Sequence, residues 1–112
     1  MVKIIILDSL KKEINKVFKK ESIKIFELML SLKNNPQKGK LLGVIGNIII
    51  KELKYKTFRF YFITNGYKIK YLKTKDLEDL IIKFIRMSDK KNQQKVIDEI
   101  KVVLSRLGEE GF

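Results

Sequence analysis

The chain of 112 residues has no cysteine, no histidine, no tryptophan and no alanine, a single proline and only three arginines. Without cysteine there can be no disulfide, no thiolate chemistry and no cysteine-based zinc site. Without histidine the commonest general base and the commonest metal ligand are both missing, so neither a transition-metal enzyme nor a cofactor is expected. No apolar run approaches the roughly 20 residues of a membrane span, and no signal-peptide pattern opens the chain. The expected setting is therefore the cytoplasm, with no membrane partner. The length fits one domain over 1–112, able to bury about two-thirds of its unfolded surface without covalent staples.

One charge sign is scarce. Twenty-five basic residues face 13 acidic ones, for a net charge of +12. Such an imbalance points to an anionic partner, most often nucleic acid. A second explanation is compositional: a lysine- and isoleucine-rich chain spreads lysine over any surface. The arginines, Arg59, Arg86 and Arg106, escape that explanation. A chain that otherwise uses lysine has placed a planar, five-donor fork at these positions.

Hydropathy gives the elements. "VKIIIL" (2–7) reads as a buried strand. Leu10, Ile14, Val17 and Phe18 make one helical stripe, with Asp8 or Ser9 as its cap. Ser22 then caps a second helix, whose apolar face is read as Ile23, Phe26, Met29, Leu30 and Leu32, and Pro36 ends it. Residues 37–47, with three glycines, read as a loop. "IIIKEL" (48–53), "FRFYFIT" (58–64), "YKIKYLKT" (67–74) and "LIIKFIRM" (80–87) read as strands, and Asn65-Gly66 signals a hairpin turn. Ser88 or Asp89 caps a final helix with Val96, Ile97, Ile100, Val103, Leu104 and Leu107 inward and Gly108 as its stop. "EEGF" at the end is expected to fray. The expected fold is α+β: an N-terminal strand and helical hairpin on a mainly antiparallel sheet, followed by a C-terminal helix.

"KYKTFRFYFITNGYKIKY" (54–71) interleaves cations with rings. Alternation puts Phe58, Phe60 and Phe62 on one sheet face and Arg59, Tyr61 and Ile63 on the other. An exposed second face of this kind would offer cations to phosphates and Tyr61 to bases. It is equally the pattern of a solvated sheet face on which lysine discourages edge pairing. Arg86 closes an apolar run just ahead of the expected helix start, whose free N–H groups favour anions. Lys90 and Lys91 fall in that expected first turn.

These segments together resemble the RelE/HigB branch of the RelE/ParE toxin superfamily, small ribosome-dependent mRNA endonucleases of toxin–antitoxin pairs. "LKNNPQKGKLL" (32–42) is similar to the family's Asn-Pro loop, "KELKYKTFRFYF" (51–62) to its Glu-Leu-Arg and Tyr-Arg motifs, and "FIRMSDKKNQQKVIDEI" (84–100) to its Phe-(apolar)-Lys-Lys run and basic helix. The chain departs from that pattern at Thr57, Phe58 and Met87, and no Tyr follows in the last helix.

The resemblance implies a RelE-like fold and a metal-independent cleavage by the RNA's own 2′-hydroxyl. Lys54, Arg59, Arg86 and Lys90 would be the catalytic cations, and Lys56, Lys91, Lys95 and Tyr61 would touch RNA. It also implies an acidic antitoxin, messenger RNA and the ribosome as partners. Preorganised cations can stabilise a phosphorane without histidine. The alternatives at this point are a non-catalytic module that holds RNA or protein on the same face, including a ParE-like gyrase inhibitor, and a domain whose charge is compositional.

Overall fold

The computed structural model describes residues 2–65 and 80–112. Strand β1 (Lys3–Ile6) leads into helices α1 (Asp8–Phe18) and α2 (Ser22–Leu30). Strands β2 (Lys40–Ile45), β3 (Ile48–Tyr55), β4 (Phe58–Thr64) and β5 (Ile81–Asp89) follow, and helix α3 (Gln93–Leu107) closes the fold. The sheet runs β1-β5-β4-β3-β2, parallel at β1–β5 and antiparallel elsewhere. This is the α+β arrangement expected from the sequence. Both hydrogen-bonding edges of β4 are taken, by β3 and by β5. The strand expected over 67–74, with Gly66 of its turn, lies outside the described residues.

Each face of the sheet has its own core. Phe60, Phe62, Ile82 and Phe84 pack with Leu10, Ile14, Ile25 and Met29 of the helical hairpin. Ile50, Tyr61, Ile63 and Ile85 pack with Val96, Ile97, Ile100 and Leu104 of α3. The second face is therefore covered where a solvated face was expected.

Several local expectations change. Asp8 is the first residue of α1 rather than its cap and lies in the first turn, where its charge suits the helix dipole. Ser22 opens α2 without capping it; its hydroxyl donates to the Ile14 carbonyl (3.2 Å) and ties the two helices together. In α2 the core face is Ile25 and Met29, while Ile23 and Leu30 point outward. Part of the glycine-rich loop is a strand: Gly43 sits inside β2 at an irregularity of register, where Lys101 of α3 passes over it. The final helix starts later than Ser88 or Asp89. β5 runs through Asp89, whose carboxylate accepts from the Asn92 backbone and side chain, and Asn92 stands at the helix start. The C-terminal residues are docked, with Phe112 against the α3 core and its carbonyl accepting from Lys83 Nζ (2.6 Å).

Candidate nucleic-acid interface

Antiparallel register assembles the cations. Lys54 on β3 stands directly opposite Arg59 on β4, and Arg59 stands opposite Ser88 on β5. Cross-strand partners share a face, so these residues form a row at the end of the sheet where the β3–β4 hairpin turns. On the β2 side the ladder ends at Lys40, opposite Glu52, and β3 runs on to Tyr55. The step leaves a cleft lined by Leu28, Lys38, Gly39, Lys40, Glu52, Leu53, Lys54 and Arg59. Four of those residues are cations and one is an acid.

Their surroundings differ. Lys54 is exposed, whereas Arg59 is only 7% exposed. Arg59 Nε lies 3.9 Å from Glu52 Oε1, and its Nη1 donates to the Phe58 carbonyl (3.4 Å). Neither contact uses Nη2. Glu52 is itself 6% exposed, and its Oε2 has no hydrogen-bond partner among the described residues. A buried carboxylate oxygen left open in this way is costly unless something else approaches it. The cleft thus presents the exposed Lys38, Lys40 and Lys54 to an anion, with Arg59 and Glu52 buried beneath them.

Arg86 belongs to a second groove. Paired with Tyr61 in the ladder, it reaches toward α3, where its Nη2 meets Glu99 Oε2 at 3.0 Å. Both side chains are about two-fifths exposed, so the pair is a weak, solvent-screened one. Lys95 lines the same groove with Asn92, Asp89 and Phe58. Lys90 and Lys91 are exposed in the turn between β5 and α3, before the helix rather than in its first turn. The sequence-based candidates are therefore distributed: Lys54 and Arg59 share one cleft, Arg86 and Lys95 line another, and Lys90 and Lys91 project from the same end of the sheet.

Tyr61, expected from the sequence to touch RNA, is not available to stack on a base. It is fully buried beneath α3, and its hydroxyl shares a 2.7 Å hydrogen bond with Ser88 Oγ. Burial raises its pKa above the ordinary phenol value, with the Ser88 bond acting in the opposite sense. Lys56 is committed elsewhere. Its ammonium pairs with Glu21 (3.1 Å) and sits 5.6 Å from the centre of the Tyr55 ring.

Lys38 and Lys40 were not among the residues singled out from sequence. Both lay in the segment read as loop, and only the position of β2 brings them to Lys54 and Arg59. Among the described residues, no group of three or more acidic side chains is placed to hold a metal ion, and no helix is long and apolar enough to cross a membrane. No family model, curated protein or solved structure matches the chain.

Proposed function

We propose that the chain is the toxin of a type II toxin–antitoxin pair, an endoribonuclease that cuts ribosome-bound message without a metal ion, using the RNA's own 2′-hydroxyl. The single observation that carries this proposal is the cleft at the β3 edge. There the exposed Lys38, Lys40 and Lys54 converge above the buried Arg59–Glu52 pair. In this scheme the cations hold the scissile phosphate and stabilise the charge that builds on it. The 2′-hydroxyl loses its proton to solvent as its oxygen bonds to phosphorus. The bond to the 5′-oxygen breaks, and Lys54 returns a proton to the leaving oxygen. The products are a 2′,3′-cyclic phosphate and a 5′-hydroxyl. Arg86, Lys90, Lys91 and Lys95 guide the flanking strand and ribosomal RNA. An acidic antitoxin would neutralise this end of the sheet.

The test is cleavage of message by purified protein in EDTA, with and without matched ribosomes, followed by analysis of the product ends. Ribosome-dependent cutting that leaves cyclic phosphate, lost in Lys54→Ala and reduced in Arg86→Ala, is expected. Intact RNA with retained, salt-sensitive binding would instead favour a non-catalytic module. The buried position of Arg59, which limits its access to a phosphate, is the observation that keeps that second reading in play.

A further inference from the structure

Lys51 is a charge in an unusual place. It lies on the apolar face of β3, opposite Phe62 on β4 and Leu41 on β2, and is only 7% exposed. Its ammonium donates to the Gln37 carbonyl at 2.8 Å. No carboxylate of the described residues pairs with it. Burial without a counter-charge depresses its pKa below the usual lysine value. A methionine would fill the same space without that desolvation, so fold stability alone does not account for a lysine here.

What Lys51 holds is the segment that carries Lys38. Gln37 is the residue before it, and the Lys38 amide closes a turn on the Asn35 carbonyl (3.1 Å). On the other side Gly39, at φ +112°, lies so close to the sheet that an added Cβ would come within 2.9 Å of the Phe62 ring and 3.1 Å of the Glu52 carbonyl. Lys38 is thus fixed between two anchors, a buried ammonium on one side and a glycine pressed against β3 and β4 on the other.

We infer that Lys51 is a positioning residue for the phosphate cleft: it holds Gln37 so that Lys38 faces Lys54 and Arg59. This inference rests on the proposed RNA reading of that cleft. Lys51 touches no RNA. Its contribution is made through the backbone at Lys38, which would otherwise have to be ordered on binding.

The experiment is a double-mutant cycle on binding of single-stranded RNA, with Lys51→Met, Lys38→Ala and the combination, each checked for a cooperative thermal transition. Lys51→Met and Lys38→Ala should each weaken binding about tenfold and reduce the slope of log affinity against log salt by about 0.7, the value of one single-strand phosphate contact. The double variant should be no worse than either single one, because both remove the same contact. Additive losses, or unchanged affinity in Lys51→Met, would overturn the inference. Hydrogen exchange at the Gln37–Gly39 amides separates its failure from failure of the function. If wild-type protein binds no RNA, the functional proposal falls. The anchoring role then stands if exchange there is faster in Lys51→Met and falls if it is unchanged.

Discussion

Lys54 and Arg59 face each other across one rung of the ladder, yet their removal should have different consequences. Lys54 is exposed and free of any ion pair among the described residues, so Lys54→Ala should change stability by less than about 0.5 kcal/mol. Arg59 is the nearest counter-charge of a buried carboxylate, and Arg59→Ala strands Glu52 in the interior at a cost of about 3 kcal/mol. Urea unfolding of the two variants checks this; equal stabilities would mean that Glu52 does not depend on Arg59. The contrast has a practical consequence. Loss of activity in Arg59→Ala would mix folding with chemistry, whereas loss in Lys54→Ala would report on the cleft.

At the scale of elements, the β3–β4 hairpin is fastened to the helices by Glu21. Its carboxylate accepts from Tyr55 Oη (2.8 Å) and from Lys56 Nζ, while Phe18 packs edge-on against Tyr55 and Phe58. Lys56 occupies a left-handed turn position (φ 54°), which is unfavourable for a residue with a side chain, and the Glu21 pair offsets some of that cost. The hydrogen bonds from Tyr55 and then Lys56 hold the Glu21 pKa below its ordinary value of 4.5. A depressed carboxylate contributes stability above its unfolded pKa and loses it as pH falls through the folded value. The melting-temperature advantage of wild type over Glu21→Gln should therefore be constant between about pH 5 and pH 9 and shrink below pH 4.5. A difference that does not change with pH would show that the carboxylate charge is not what fastens the hairpin.

The neighbouring anchor gives a second prediction at this scale. Gly39→Ala must place a methyl against Phe62 at a backbone angle that alanine avoids, and should destabilise by about 1–3 kcal/mol in urea unfolding. An unaffected midpoint would mean that the 34–39 segment can shift without cost.

These two anchors also show what could be read in the sequence and what could not. Alternation along 58–64 correctly placed Phe58, Phe60 and Phe62 toward the helical hairpin, because a period of two needs no partner to be recognised. It could not say that α3 covers the opposite face, since that depends on a distant element, and so Tyr61 looked available when it is buried. Gly39 and Gly46 do make turns, with positive φ. Gly43, counted with them, instead serves close packing under Lys101, so β2 was hidden by its composition. With β2 unseen, Lys38 and Lys40 had no visible relation to Lys54 and Arg59. An acidic residue ahead of an amphipathic run reads as a helix cap, but the Asp89 carboxylate caps a turn that ends β5.

At the scale of the whole molecule, the question is whether +12 is a property of the composition or of one end of the sheet. The hairpin end carries Lys38, Lys40, Lys54 and Arg59 in one cleft, with Arg86 and Lys95 in the adjoining groove. If the four cleft cations neutralise RNA phosphates, the log–log salt slope of binding should be about −3. Diffuse surface charge predicts no such dependence on particular residues. The most direct measurement compares Lys38→Ala/Lys54→Ala with Lys12→Ala/Lys16→Ala, which removes the same charge from exposed positions on α1. Both are assayed for ribosome-dependent cleavage of message in EDTA. The cleft variant should be inactive while still folded, and the α1 variant should cut like wild type. Equal loss in the two would contradict a cleft-based activity and assign the effect to overall charge.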